Sequence, residues 1–93
     1  MNLTELKPDR ERLLARLDAL AQIGRTDAGA CCRLALTDDD RAGRDQVVAW
    51  MRALGLEVAI DPIGNVFGLR RGRRPELAPV MTGSHIDTVR TGG

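Results

Sequence analysis

The residues best suited to chemistry lie near the end of the sequence, where a single residue separates His85 from Asp87. His85 is the only histidine in the chain. In extended backbone, positions i and i+2 point to the same side, so the imidazole and the carboxylate are expected side by side. A carboxylate bound to one ring nitrogen orients the other nitrogen toward a metal ion. The spacing therefore indicates half of a metal site, and an ordinary polar surface pair remains the alternative.

Three further groups of side chains could bind a ligand. Cys31 and Cys32 are adjacent, which disfavours a bridge between them, and no C-x-x-C spacing is present, so free thiols are expected. Residues 38–40 are aspartates, which we interpret as a solvated, helix-capping acidic turn rather than a metal site. Residues 70–74 hold four arginines, which we interpret as a solvated loop rather than a nucleic-acid contact. The sequence leaves open whether the cysteines or aspartates approach His85.

Two helices are expected to come first. Residues 8–23 form the first predicted helix, with Pro8 in its first turn and Gly24 as its stop. The second begins at Thr37, whose hydroxyl can cap free backbone N–H groups, and closes at Gly55. Apolar residues recur at helical spacing in both, and each set is expected to face a core: Leu13, Leu17, Leu20 and Ala21 in the first helix, and Val47, Val48, Met51 and Leu54 in the second.

The connection between these helices, residues 25–36, has a length that often carries function in compact domains. After the second helix the apolar residues alternate, which predicts strands at residues 56–60 and 65–70. The four-residue turn between them indicates antiparallel pairing. Residues 79–82 are nearly all apolar, as in a strand buried on both faces of a mixed α/β sheet. The predicted fold is therefore α/β, with two helices followed by about three strands, and the His-x-Asp pair follows the third strand, where open α/β sheets bind ligands.

Composition disfavours several functional classes. The 93 residues, of 10.1 kDa, suffice for one small domain. The 14 basic and 13 acidic residues leave a net charge of +1, which provides no general attraction to nucleic acid or anionic membrane. Aromatic residues make up 2%, too few for a base-stacking surface. No apolar run approaches the roughly 18 residues of a membrane span. The first residues lack the apolar core of a secretory signal, so a cytoplasmic location is expected.

The first metal-site motif of the M20-type zinc amidohydrolases resembles residues 80–93, VMTGSHIDTVRTGG. Ser84 before the histidine and residues 91–93 after it are closer to one branch of this family, the hydantoinase/carbamoylase branch. That branch includes N-carbamoyl-L-amino-acid hydrolases and allantoate amidohydrolases. Residues 21–45, which contain the pattern R-L-x-x-T-x-x-D, and residues 55–72 are also similar to the branch. The resemblance thus covers nearly the whole chain in order.

The resemblance implies roles for two residues. His85 matches the first metal ligand of the family, and Asp87 matches the acidic active-site residue that orients this histidine. Arg90 stands where the relatives carry proline, at a position that is not expected to bind metal. The remaining ligands of the family would follow Gly93. Residues 1–93 would therefore form the incomplete N-terminal portion of a mixed-sheet metallohydrolase catalytic domain, without the lid and dimerisation domain, and no substrate-binding residue is assigned.

For the full-length enzyme, the resemblance implies two divalent metal ions, Zn²⁺ or Mn²⁺, and a homodimer. The reaction would be hydrolysis of the carbamoyl or ureido C–N bond of a small molecule, an N-carbamoyl-L-amino acid or allantoate. The 93-residue chain alone is expected to be inactive, because one histidine and one carboxylate cannot hold a metal pair. Exposed apolar surface is expected to make it self-associate.

Other interpretations remain open. One is a fragment of an M20 aminoacylase or peptidase, which Ser84 and the glycine pair at 92–93 disfavour. Another is a small non-catalytic binding module that reuses this part of the fold. A nucleic-acid-associated protein that uses the arginines of residues 70–74 is the least supported, because no wider basic surface or aromatic neighbours accompany them.

Overall fold

Two α-helices precede a two-stranded antiparallel sheet in the computed structural model, which describes residues 2–91. A single 3-10 turn at Leu3–Glu5 comes before the helices. The helices and strands are α1 (Arg10–Ala21), α2 (Asp38–Ala53), β1 (Glu57–Ile60) and β2 (Val66–Leu69). The α/β class and the order of helices before strands are confirmed.

Helix α1 is shorter at both ends than the predicted span of residues 8–23. Asp9 is the N-cap, because its Oδ1 accepts a 3.0 Å hydrogen bond from the backbone N–H of Arg12. Pro8 therefore precedes the helix instead of lying in its first turn. At the other end, Gly24 has a φ of +86° and turns the chain away, as predicted.

Helix α2 begins and ends where predicted. Thr37 is the N-cap, and its Oγ1 accepts a 3.3 Å hydrogen bond from the N–H of Asp40. The aspartates of residues 38–40 occupy the first turn, where the helix dipole favours negative charge. Gly55 follows the helix with a φ of +79°, a conformation that glycine adopts without steric cost. Its N–H donates to the carbonyl of Arg52 at 2.9 Å.

Strands β1 and β2 form the predicted antiparallel hairpin, in which the facing pairs are Glu57–Leu69, Val58–Gly68, Ala59–Phe67 and Ile60–Val66. Asp61 organises the turn, because its Oδ1 accepts hydrogen bonds from the N–H of Ile63 at 3.1 Å and of Asn65 at 2.7 Å. Its Oδ2 accepts a 2.8 Å hydrogen bond from the Asn65 side chain, and this bond lowers the pKa of the Asp61 carboxyl.

The hairpin packs against α2, and the small core of the described residues lies at this contact. Val48 is the one buried hydrophobic side chain in the described part of the chain. Gly68 lets helix and strand approach, since a Cβ there would lie 3.0 Å from Met51 Sδ. Arg44 joins the helix to the hairpin turn through a 2.7 Å hydrogen bond from Nη2 to the carbonyl of Gly64.

The two predicted apolar faces are less buried than expected. On α1, Leu13 and Leu17 are exposed by 51% and 56%, because no described helix or strand packs extensively over them. On α2, the last predicted core residue, Leu54, is 57% exposed. The prediction of a buried face is therefore wrong for α1 and only partly right for α2. One contact between the helices is a cation–π interaction, in which the Arg16 guanidinium lies 5.7 Å from the centre of the Trp50 ring.

Residues 79–82 do not form the third strand that their apolar composition predicts. Val80 is fully exposed, and Met81 is largely exposed. A strand requires hydrogen bonds to a neighbouring strand, and within residues 2–91 no backbone hydrogen bond reaches this segment. The sheet of the described chain therefore has two strands, and the half-buried stretch that follows, residues 86–88, is held by other means.

Candidate metal-binding half-site

The side chains of His85 and Asp87 contact each other, as their spacing predicts, and we call residues 85–87 the half-site. His85 Nδ1 lies 3.1 Å from Asp87 Oδ1 and 3.0 Å from the Asp87 carbonyl oxygen. Both oxygens are acceptors, so the geometry is satisfied by the tautomer with its proton on Nδ1. The Nε2 lone pair is then free, and the imidazole is 78% exposed, so a metal ion can reach it. The metal and catalytic roles of the two residues stay predictions.

The described residues supply only part of a metal centre. Among them, no group of three or more histidine, cysteine, aspartate or glutamate side chains is arranged to hold a metal ion. A catalytic zinc site takes three protein ligands, and a structural site takes four. The half-site therefore fits one corner of a metal centre, and the other described side chains do not complete it.

The cysteines and the acidic triplet have partners of their own. Cys31 and Cys32 are free thiols, as expected, and Cys31 Sγ lies 3.5 Å from the carbonyl oxygen of Ile23. Asp40 is buried, and its Oδ2 accepts a 3.0 Å hydrogen bond from the N–H of Leu36, whose φ of +67° is uncommon for a residue with a side chain. The acidic turn therefore stabilises the backbone that enters α2, as expected of a helix-capping turn, but the expectation that it is solvated is wrong for Asp40, because its carboxylate binds the Leu36 N–H.

Two of the four arginines in residues 70–74 pair with carboxylates of the chain itself. Arg71 donates to Glu57 from Nε at 2.8 Å and from Nη2 at 3.1 Å, and Arg74 Nε lies 2.9 Å from Glu76 Oε1. The first contact lowers the pKa of the Glu57 carboxyl and raises the pKa of Arg71, because the hydrogen bond and the opposite charge favour both ionised forms. Both side chains of each ion pair are exposed, which fits a solvated loop.

Arg33 is a buried cation whose structural role the residue-by-residue reading of the sequence missed. Its exposed fraction is 5%. Nη1 donates to the carbonyls of Leu20 at 2.9 Å and of Ile23 at 2.6 Å, at the end of α1, where the helix dipole is negative. Nε donates at 3.0 Å to the carbonyl of Ile86, the central residue of the half-site. One side chain therefore joins the first helix to the half-site.

Thr88 makes a second connection between Arg33 and the segment around the half-site. The Thr88 N–H donates to the carbonyl of Arg33 at 2.8 Å, and the Thr88 Oγ1 accepts from the Arg33 N–H at 2.8 Å. The hydroxyl also lies 3.4 Å from the carbonyl oxygen of Cys31. The backbone directly after Asp87 is thereby held by a loop residue 55 positions earlier in the chain.

Two glycines leave room for this arrangement. A Cβ at Gly43, in the interior of α2, would lie 2.9 Å from Arg33 Cδ. Gly24 has a positive φ, and a Cβ there would lie 2.6 Å from the carbonyl oxygen of Cys32. Both positions therefore need glycine, the first because the arginine packs directly on the helix and the second because the loop backbone returns against the end of α1.

Known proteins resemble this chain over most of its length, although no family model matches it. The N-carbamoyl-L-amino-acid amidohydrolase of Pseudomonas sp. (strain NS671) is 45% identical over 84 residues, which are 90% of this chain and 20% of that protein. The allantoate amidohydrolase of Bacillus subtilis (strain 168) is 39% identical over 77 residues, which are 83% of this chain and 19% of that protein. The crystal structure of a hydantoinase/carbamoylase family amidase from Burkholderia vietnamiensis has a TM-score of 0.92 at 51% identity, covering 97% of this chain and 22% of that one.

This chain is a homologue of the hydantoinase/carbamoylase amidohydrolases. The resemblance inferred from the motifs is thereby confirmed. This chain spans about a fifth of the length of the curated relatives it matches. None of the helices described in residues 2–91 is long and apolar enough to cross a membrane.

The R-L-x-x-T-x-x-D pattern of this chain has a physical explanation. Its arginine, Arg33, connects α1 to the half-site; its threonine, Thr37, caps α2; and its aspartate, Asp40, binds the backbone that enters the helix. Arg33 and Asp40 are the two buried charged side chains of the described residues. The sequence signal that could have identified Arg33 is its position in this pattern, as the one arginine among the small and apolar residues 28–36.

Proposed function

We propose that this chain carries the first metal-ligand pair of an amidohydrolase that cleaves the carbamoyl or ureido C–N bond of N-carbamoyl-L-amino acids or allantoate. His85 is the metal ligand, and Asp87 is the active-site carboxylate that orients it. The observation that carries the proposal is the contact between His85 Nδ1 and Asp87 in a chain homologous to hydantoinase/carbamoylase amidohydrolases.

The donor chemistry of the half-site fits a divalent metal ion. A neutral imidazole with a free Nε2 is a common ligand of Zn²⁺, and carboxylates suit Mn²⁺ as well. The proposal therefore includes two such ions, Zn²⁺ or Mn²⁺, in the complete enzyme. When bound, they would polarise the carbonyl of the scissile bond and lower the pKa of a bound water.

The contribution of this chain is to orient His85 and to hold its proton on Nδ1. Asp87 Oδ1 accepts a hydrogen bond from the protonated Nδ1 at 3.1 Å, and the lone pair of Nε2 is then free to bind a metal ion. The Asp87 carbonyl oxygen lies 3.0 Å from the same nitrogen. Two acceptors on one ring nitrogen restrict rotation of the imidazole, so that its free nitrogen keeps one direction.

The proposal extends to the surroundings of the half-site. In the complete enzyme, residues 1–93 are part of the catalytic domain, the remaining metal ligands and a lid domain follow, and two copies form a homodimer in the cytoplasm. The share of the relatives that the chain covers, about a fifth of their length, supports a complete protein longer than 93 residues. The substrate is a small molecule, and neither nucleic acid nor membrane takes part.

The experiment that tests the proposal begins with the native gene product. Its intact mass is measured after purification from source cells, and we expect a mass several-fold above 10.1 kDa. Hydrolysis of N-carbamoyl-L-amino acids and of allantoate is then assayed with Zn²⁺ or Mn²⁺ and after chelation, and we expect metal-dependent release of ammonia. N-acetyl-L-amino acids and dipeptides are the control substrates, because a preference for them assigns an aminoacylase or a peptidase instead.

Variants of the native gene product test the half-site itself. We expect His85→Ala to remove bound metal and activity together. Asp87→Asn should lower metal affinity or activity by about 10–100-fold, the usual effect of removing a carboxylate that orients a ligand. Glu76→Gln, which changes an exposed carboxylate of the arginine-rich loop, is the matched control and should change neither. Full metal content and activity in His85→Ala, or an inactive native product of 10.1 kDa, would overturn the proposal.

A further inference from the structure

No carboxylate of residues 2–91 neutralises the buried guanidinium of Arg33. None of the ion pairs formed within residues 2–91 includes it. Burial of a charge is unfavourable unless the charged group is hydrogen-bonded, and Arg33 meets this requirement with main-chain carbonyls and with Cys31 Sγ, which lies 3.1 Å from Nη1. Nη1 binds the carbonyls of Leu20 and Ile23, and Nε binds that of Ile86. A cation held in this way links the chain segments to which the carbonyl groups belong.

The Ile86 carbonyl belongs to the half-site. The contact of His85 Nδ1 with both the carboxylate and the carbonyl of Asp87 depends on the backbone conformation of residues 85–87. Arg33 holds this backbone on one side of Asp87, through the Ile86 carbonyl at 3.0 Å. It also holds the other side, through its own backbone groups and Thr88, at 2.8 Å each.

Besides these hydrogen bonds, the half-site is supported by the half-buried Ile86 side chain, whose Cδ1 would lie 3.3 Å from a Cβ at Gly43 of α2. Residues 79–82, which precede it, make no backbone hydrogen bond to another described segment. His85 itself is mostly exposed, so packing does not fix its position. Arg33, in contrast, is held by the end of α1 and pressed against Gly43 of α2, which makes it a rigid donor.

We propose that Arg33 is a positioning residue for the His85–Asp87 pair. By fixing the backbone on both sides of Asp87, it keeps the carboxylate against His85 Nδ1 and so selects the tautomer with a free Nε2. The consequence for metal binding rests on the proposed function of the half-site. The geometric part does not, because it concerns only the contact between two side chains of this chain.

The first measurement uses the unmodified full chain, labelled with ¹⁵N and ¹³C and kept free of metal. A scalar coupling across the hydrogen bond between Arg33 Nε and the Ile86 carbonyl carbon should be detectable by NMR. The ¹⁵N shifts of the His85 ring should show a protonated Nδ1 and an unprotonated Nε2. Absence of the coupling in the folded chain overturns the proposal whatever the variants do.

The second measurement compares two arginine variants. Arg33→Met keeps much of the aliphatic packing and removes the donors, and the His85 ring shifts should move toward those of an unconstrained imidazole. Arg44→Met is the matched control, because Arg44 is also half-buried and also donates to a main-chain carbonyl, that of Gly64. It should leave the His85 signals unchanged. Parent-like His85 signals in folded Arg33→Met would overturn the proposal.

A pair of threonine variants covers the case in which Arg33→Met does not fold. Thr88→Val removes the hydroxyl that accepts from the Arg33 N–H, whereas Thr88→Ser retains it. We expect shifted His85 ring signals in the valine variant and parent-like signals in the serine variant. Identical His85 ring signals in the two variants would contradict a role for the hydrogen bond between the Arg33 N–H and Thr88 Oγ1.

Titration with Zn²⁺ separates the further inference from the proposed function. His85 signals that depend on Arg33 but do not respond to Zn²⁺ would count against the metal role and leave the positioning role intact. Zn²⁺ binding that is lost in His85→Ala, together with Zn²⁺ binding and His85 signals that are identical in Arg33→Met and the parent chain, would support the half-site and overturn the positioning role.

Discussion

Arg33 Nε donates a 3.0 Å hydrogen bond to the carbonyl oxygen of Ile86, which lies 53 residues later in the chain. The same guanidinium binds two carbonyls at the end of α1. Such a contact between distant segments carries an entropic cost of loop closure, so it depends on the elements between them being folded. The orientation of the exposed half-site is thus linked to the helices rather than to its own immediate neighbours.

Replacement of Gly43 by alanine should destabilise the chain, although alanine is the better helix former. In an unobstructed helix interior the change would stabilise by about 1 kcal/mol. Here the new methyl group would meet Arg33 Cδ at 2.9 Å, and the arginine cannot retreat without losing hydrogen bonds. Urea denaturation should therefore show a free energy of unfolding lower by about 1–3 kcal/mol, the usual effect of overpacking.

The control for Gly43→Ala is Ala42→Gly, at the adjacent exposed position of α2. It measures helix propensity alone and should cost about 1 kcal/mol. A Gly43→Ala chain that is as stable as the parent would show that Arg33 is not held against the helix.

The stability of the hairpin should decrease in acid. In the folded chain the pKa of Glu57 is lowered, mainly by its hydrogen bond with Arg71, and the pKa of Asp61 is lowered, mainly by its hydrogen bond with Asn65. A carboxyl group with a lowered pKa binds fewer protons when folded than when unfolded. Its stabilisation is fully present above the ordinary values of 4.5 for Glu57 and 3.8 for Asp61, and it is lost as the pH falls through the folded-state values.

The urea midpoint of the parent chain should therefore decline as the pH falls below about 4.5. The double variant Glu57→Gln, Asp61→Asn should be less stable at neutral pH and should show a smaller decline. Glu5→Gln, which changes a carboxylate that forms no ion pair within the described residues, should follow the parent. Equal declines in the double variant and the parent would be inconsistent with these contacts.

The 93-residue chain should self-associate in solution. Leu13 and Leu17 lie on the exposed face of α1, and Val80 and Met81 are exposed as well, which leaves apolar surface that water contacts unfavourably. Sedimentation velocity should show species heavier than 10.1 kDa whose fraction rises with concentration. A monomer with cooperative unfolding across the whole concentration range would contradict this expectation.

A charge on the α1 face should shift this equilibrium. Leu17→Glu should increase the monomer fraction, because a buried interface would have to desolvate the carboxylate. Ile63→Glu is the matched control, since Ile63 is also exposed but stands alone in the hairpin turn. Equal effects of the two variants would mean that the α1 face is not the contact surface.

The isolated 93-residue chain should not hydrolyse N-carbamoyl-L-amino acids with any added divalent metal. The half-site provides one imidazole and one carboxylate, and residues 2–91 bring no third ligand to it. Fewer than three protein ligands do not form a catalytic zinc site. Ammonia release should equal that of a His85→Ala control, and robust metal-dependent turnover by the purified chain would refute this prediction.

Local sequence chemistry predicted the features that depend on neighbours along the chain. Thr37 caps α2, Gly55 closes it, and a four-residue turn joins the antiparallel strands, because each depends on backbone groups within a few positions. The contact of His85 with Asp87 belongs to the same class, since two residues of spacing place the side chains together. The motifs around them also identified the amidohydrolase relatives correctly.

Periodicity alone did not determine which apolar residues are buried. Leu17 on α1 has the spacing of a core residue and is exposed, because burial requires a second element and none of those described covers it. Residues 79–82 have the composition of an interior strand but no partner among the described residues. Apolar patterns indicate a capacity for packing, and the neighbours that realise it are set by the tertiary structure.

The sequence by itself thus determined the capped helix α2, the hairpin, the adjacency of His85 and Asp87, and the relationship to amidohydrolases. Only the tertiary structure decided that Arg33 is buried and holds the half-site. The guanidinium contacts the nearby Cys31 thiol, but its other three partners lie 10, 13 and 53 residues away, and they are carbonyl oxygens, which every residue carries. A hydrogen bond to the backbone leaves no side-chain partner to find in the sequence, so the contact becomes visible only when the chain has folded.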